Sequence, residues 1–140
     1  MSGSWLLVRA GSRRIGLPLA DVIEVLEPGP VYPVPAQEAA VRGVTTARED
    51  IMPLVHLGAL LDGTPCPERR GATTILVRVD GRPICLEVDD AEEVLNEPGH
   101  PVPPGSTLLF AAAVARRPEG LVPLLDLTAL VARISETTSA

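Results

Sequence analysis

Lysine is absent from this chain, and aromatic residues nearly so. All twelve basic residues are arginine, and Trp5, Tyr32 and Phe110 are the whole aromatic complement of 140 residues. Eighteen acidic residues leave a net charge of −6. A nucleic-acid binder needs a cationic footprint, and a single-strand binder also needs aromatic faces to stack bases. Nucleic acid is therefore excluded as a partner. The only cysteines, Cys66 and Cys85, match no metal or redox spacing. The longest apolar run, Leu108 to Ala115, has eight residues, far short of the ~20 that span a bilayer. The N-terminus carries neither a cationic start nor an apolar core of leader length. A cytoplasmic protein without membrane insertion is expected.

What is present is aliphatic. Apolar residues make up 46% of the chain and mean hydropathy is +0.24, too apolar for a disordered segment. The length suits one domain, residues 1–140, with a core that needs no metal or disulfide. Fifteen prolines and twelve glycines punctuate it, which disfavours long helices. Between the breaks lie strand-like runs: Trp5–Ala10, Arg14–Leu19, Val41–Ala47, Ile51–Leu57, Thr73–Val79, Arg82–Val88, Thr107–Arg116 and Leu121–Leu125. Asp80-Gly81 is a strong hairpin signal. Short helices are expected at Leu57–Leu61 and Leu127–Ile134, the second with Asp126 as N-cap and apolar residues at i, i+3, i+4 and i+7. The proline-bearing stretch 27–35 reads as an extended crossover, 63–71 as a polar loop, and the residues after Ser135 as a frayed tail. The fold class is all-β, a small barrel or pair of barrels.

An internal repeat sharpens this. Ile15–Leu26 aligns with Ile84–Leu95 at an offset of 69, with six of twelve positions identical. Ile51–Leu57 then aligns with Leu121–Leu127 at an offset of 70. The chain thus reads as two β subdomains of similar plan, about 14–62 and 72–126, followed by a C-terminal helix at 127–134.

These residues resemble the CheW-like coupling proteins of bacterial chemotaxis. The family pattern is an acidic V-x-E-V/I segment, a proline-bearing crossover, a G-V-I-N-L-R-G turn and a P-V-I-D-L strand. The matching stretches are Val22-Ile23-Glu24-Val25, Pro33-Val34-Pro35, Gly43 to Glu49, and Pro53-Leu54-Val55-His56-Leu57. The resemblance covers Trp5 to Ile134 and implies two SH3-like five-stranded barrels around a shared core. It also implies a non-enzymatic adaptor that binds a histidine kinase regulatory domain and the cytoplasmic tip of a chemoreceptor. Carried over by position, the partner-binding candidates are Val22, Glu24, Val25, Val44, Thr46 and Arg48, with Glu24 and Arg48 forming an ion pair that orients the surface. The turn departs from the family at Thr45, Thr46, Ala47 and Glu49, and His56 stands where the family has aspartate. Those departures leave open a module of the same fold that serves a different, pathway-specific regulator.

The remaining candidates yield little. Glu87, Asp89, Asp90, Glu92, Glu93 and Glu97 form an acidic run that reads as a solvated face, with steering of a basic partner as the alternative. Asp89, Asp90 and Glu93 lack the spacing of a calcium loop, and His56, His100 and Cys66 are too scattered to hold a metal. His56 fits the opening of a helix instead. No nucleophile elbow, phosphate loop or dinucleotide fingerprint occurs, so catalytic residues, metal and cofactor are all expected to be none.

Overall fold

The computed structural model describes residues 3–104 and 110–138. Ten strands run in chain order: β1 Ser4–Ala10, β2 Arg13–Pro18, β3 Val22–Leu26, β4 Val41–Ala47, β5 Asp50–His56, β6 Thr73–Val79, β7 Arg82–Val88, β8 Asp90–Asn96, β9 Ala111–Arg117 and β10 Gly120–Leu125. Two helices, α1 Leu57–Asp62 and α2 Leu127–Thr138, follow β5 and β10. The strands form two five-stranded sheets, ordered β8-β1-β2-β10-β9 and β3-β6-β7-β5-β4. These are the two SH3-like units expected, although neither sheet closes into a continuous hydrogen-bonded barrel.

The strand order corrects the expected subdomain limits. Segments 14–62 and 72–126 do not each make a sheet. One sheet takes β1 and β2 from the first repeat and β8, β9 and β10 from the second, and the other takes the reverse set. After the β1–β2 hairpin the chain crosses through one 3-10 turn, Leu19–Asp21, so that β3 pairs antiparallel with β6. After the β6–β7 hairpin, β8 returns to pair with β1. Parallel pairings of β2 with β10 and of β7 with β5 complete the exchange. Each repeat is thus split between the sheets, its first hairpin in one and its last three strands in the other, and the two sheets are related by a pseudo-two-fold.

Alternation along the strands sorts the core into three clusters. Ile75, Val77 and Val79 on β6, and Ile84, Leu86 and Val88 on β7, face the shared core between the sheets. Leu76 and Cys85 on the opposite faces join Met52 and Leu54 in a smaller cluster. Trp5, Leu7, Leu95, Ala113, Ala115, Val122 and Leu124 fill the other unit. Both helices close over the shared core, α1 with Leu57, Ala59 and Leu60 and α2 with Leu127, Leu130, Val131 and Ile134. Each such Leu, Val or Ile side chain, once buried, contributes about 1.5–3 kcal/mol.

Local chemistry explains the element ends. Nδ1 of His56 accepts the Ala59 N–H at 3.0 Å and caps α1. Oδ1 of Asp126 accepts from the N–H groups of Thr128 and Ala129 and caps α2. Asp80 and Gly81, at φ of 50° and 80°, supply the left-handed pair that a tight hairpin requires. Helix α2 runs to Thr138, longer than its apolar periodicity indicated. Thr107, Leu108 and Leu109, expected to open β9, lie outside the described residues.

Two strands are missing from the strand-like runs of the sequence. Residues 22–26 and 90–96 are strands, although their alternation is poor. Bulges explain the poor pattern: β3 slips register between Val22 and Glu24, and its partner β1–β8 pairing slips between Leu7 and Val8. The acidic run is also not one solvated face. Glu87 is 0% exposed, with Oε1 accepting from Nε of Arg42 at 2.8 Å and Oε2 from Nε of Arg70 at 2.5 Å. Its charge is enclosed because β7 lies second from neither edge but at the centre of its sheet.

Candidate functional site

Strands β3 and β4 are the two edges of one sheet, and a side-chain clasp joins them. Nε of Arg48 donates to Oε1 of Glu24 at 2.8 Å. The two-residue turn that makes this possible has Arg48 and Glu49 at φ of 51° and 68°, both left-handed. Such a turn matches the twist of a hairpin but favours Gly or Asn, so these two side chains are held against local preference. Both partners of the clasp are largely exposed, which limits the pair to about 0–1 kcal/mol of stability. Its effect is to fix the shape of the turn.

Beneath the clasp lies a cavity of about 260 Å³, bordered by Leu26, Thr45, Thr74 and Cys85. The Thr74 hydroxyl is buried there without a hydrogen-bond partner. Burial pushes the Cys85 thiol up to about 11, so it stays protonated at neutral pH. At the neighbouring bulge Gly43 has a φ of 151°, and a Cβ there would sit 2.5 Å from the Tyr32 carbonyl oxygen. That close approach lets Tyr32 and Val44 exchange backbone hydrogen bonds of 2.9 and 3.0 Å, which seats the proline-rich crossover against β4.

The predicted residues divide on this geometry. Glu24, Thr46 and Arg48 surround one opening, and Val25 is exposed beside Glu24 on β3. Val22 instead packs against the shared core, and Val44 is half-buried beneath the crossover. Of the four departures in the turn, Thr45 is buried and Ala47 packs on the small interior cluster. Only Thr46 and Glu49 alter the exposed surface.

A second clasp went unseen in the sequence. Nη2 of Arg117 donates to Oε1 of Glu93 at 2.7 Å. Both residues lie 69 positions beyond their counterparts, Arg48 and Glu24. Four exposed apolar residues also pair across the repeat, at offsets of 69 and 70. Val25 and Val94 are 49% and 47% exposed, and Ile51 and Leu121 are 71% and 51%. The bridge between Tyr32 and Val44 likewise has a mate between His100 and Val114. The repeat signal for this was available: Glu27-Pro28-Gly29 recurs as Glu97-Pro98-Gly99, which extends the duplication through the crossover. Among the described residues, no group of three or more His, Cys, Asp or Glu side chains is placed to hold a metal.

Comparison with known proteins matches residues 4–135 to the CheW-like domain. The chain belongs to the CheW-like family. Its fold matches the crystal structure of the scaffolding protein TtCheW from Thermoanaerobacter tengcongensis, with a TM-score of 0.76 at 22% identity over 90% of each chain. No curated protein matches the sequence. CheW-like domains are scaffolds and not enzymes, which fits a site made of a fixed turn and exposed aliphatic residues. No helix among the described residues is long and apolar enough to cross a membrane.

Proposed function

We propose that this CheW-like domain couples a chemotaxis-type histidine kinase, through the kinase's regulatory domain, to the cytoplasmic tip of a chemoreceptor. The observation that carries the reading is the pair of equivalent seams. A coupling protein must hold two partners at once, and one surface cannot do that. Here Glu24 and Arg48 with Val25 and Ile51 make one surface, and Glu93 and Arg117 with Val94 and Leu121 make its counterpart. Each offers a few exposed aliphatic side chains beside a fixed charge pair, the composition of a modest protein interface. On this reading Glu24, Val25, Thr46 and Arg48 touch a partner, while Val22 and Val44 support the surface from below.

Titration calorimetry with the kinase regulatory domain from the same genome tests the proposal. Binding at micromolar strength or tighter, about −8 kcal/mol, is expected. Arg48→Ala should weaken it while leaving the thermal melt nearly unchanged. The exposed changes at Thr46 and Glu49 favour a second reading, in which the same scaffold serves another regulator outside the receptor array. Absence of binding to the kinase domain, with capture of a different regulator from native lysate, would replace the first reading with the second.

A further inference from the structure

A groove of about 490 Å³ opens where the β1–β2 hairpin, the end of β5 and the 63–71 loop meet. Arg9, Arg69, Arg70 and His56 line it, with Asp89 as the one carboxylate. This is an unusual concentration of cations in a chain whose net charge is −6. The Arg69 guanidinium has no partner among the described residues, its carbonyl alone being engaged, by Nη2 of Arg42. Arg70 is fixed by Glu87 and by the Gly29 carbonyl at 3.2 Å, which leaves its Nη2 unpartnered. Asp89 is already committed, for its Oδ2 accepts the Gly11 N–H at 2.6 Å and lies 3.9 Å from Arg9.

His56 adds a donor. Because Nδ1 accepts the Ala59 N–H, the ring proton sits on Nε2. Burial holds the imidazole below its ordinary range, against the charges of Glu87 and Asp89 and together with Arg42, so the neutral donor form persists at pH 7.

The repeat provides an internal control. The place of His56 is taken in the other half by Asp126, and there burial and the charges of Asp80 and Asp126 raise the carboxyl of Asp21. The same scaffold thus carries a capping carboxylate at one junction where the other has the His56 imidazole.

We propose that the groove between Arg9, His56 and Arg69 binds a phosphate monoester. Donors from three separate segments suit a tetrahedral anion with several oxygens better than a planar carboxylate, and guanidiniums bind such oxygens through paired N–H groups. The volume exceeds that of a bare phosphate, so the remainder accommodates the group that carries it.

Calorimetry on the full chain at fixed ionic strength tests this with three probes: inorganic phosphate, glycerol 3-phosphate and a phosphoserine peptide. Saturable binding with one ligand per chain is expected. Arg69→Ala should weaken it by about tenfold, the loss of one charge-assisted hydrogen bond, and His56→Asp by more, because it also sets a carboxylate beside the anion. His56→Asp retains a capping side chain, as Asp126 shows, and its thermal melt verifies the fold. Arg116→Ala, at an exposed position elsewhere, should leave binding unchanged. Tighter binding of the peptide assigns a protein-borne phosphate, and tighter binding of glycerol 3-phosphate assigns a metabolite. The proposal is overturned if no probe binds saturably, or if both groove variants bind as the parent does.

Discussion

Glu87 and Glu24 carry the same charge and each meets an arginine, yet their environments make them opposite in consequence. Glu87 is enclosed, and its two guanidinium partners tie β4, β7, the 63–71 loop and, through Gly29, the crossover into one hub. Glu87→Ala should cost about 3–5 kcal/mol, because two partly buried cations lose their counter-charge. Urea unfolding reads this as a lower midpoint, and an unchanged midpoint would contradict the hub. Arg48→Ala should cost no more than about 1 kcal/mol, since both partners of the clasp face water. Of the two left-handed turn residues, Glu49 sits at a φ of 68° where the family has glycine. Glu49→Gly should raise stability by about 1 kcal/mol, a gain of a few degrees in melting temperature. His56 gives a pH dependence with a definite sign. Its folded pKa lies below the ordinary 6.5, so the unfolded chain takes up the proton first as pH falls. Stability is fully present above pH 6.5 and declines below it, until the folded imidazole is protonated and the α1 cap is lost. Unfolding midpoints across pH 5 to 8 should show this decline, and His56→Asn should flatten it.

At the scale of elements, the regular parts were legible and the bulged parts were not. The Asp80-Gly81 hairpin turn, both helix caps and the core stripe of α2 follow from local rules that residues obey one at a time. Asp126 is an example, and Asp126→Ala should cost about 1 kcal/mol in thermal unfolding, with helix content falling before the sheets melt. Strand β8 shows the limit. Its residues 90–96 are mostly polar and exposed, and only Leu95 is buried, so no alternation survives to announce a strand. The strand exists because β1 offers it a backbone edge, which is a property of the partner and not of the segment. Glu87 was hidden for the same reason. Read along the chain it continues an acidic run, whereas its surroundings come from Arg42 and Arg70, which lie 45 and 17 residues away. The clasp of Glu24 and Arg48 was legible only through family resemblance. Its mate, Glu93 and Arg117, needed the repeat offset to be applied to single residues.

For the whole molecule, the duplication gives equivalence but not pairing. An offset of 69 relates β1 to β6 and β3 to β8, yet it is silent on whether a strand joins its own repeat or the other. The strand order shows that each repeat is split, β1 and β2 joining β8, β9 and β10 while β6 and β7 join β3, β4 and β5, and this has a thermodynamic consequence. Neither repeat alone can complete a five-stranded sheet, and the shared core draws on strands and helices from both. Cutting the chain in the 63–71 loop should therefore yield two fragments, neither of which folds as a monomer. Mixed in equal amounts they should reassemble, because each supplies the hairpin and core face the other lacks. A fragment that does fold unaided should be a dimer, with a second copy standing in for the missing repeat and the pseudo-two-fold becoming a true one. Sedimentation and amide dispersion in proton–nitrogen spectra distinguish these outcomes. A well-dispersed monomeric spectrum from either fragment would show that the repeats are independent barrels after all.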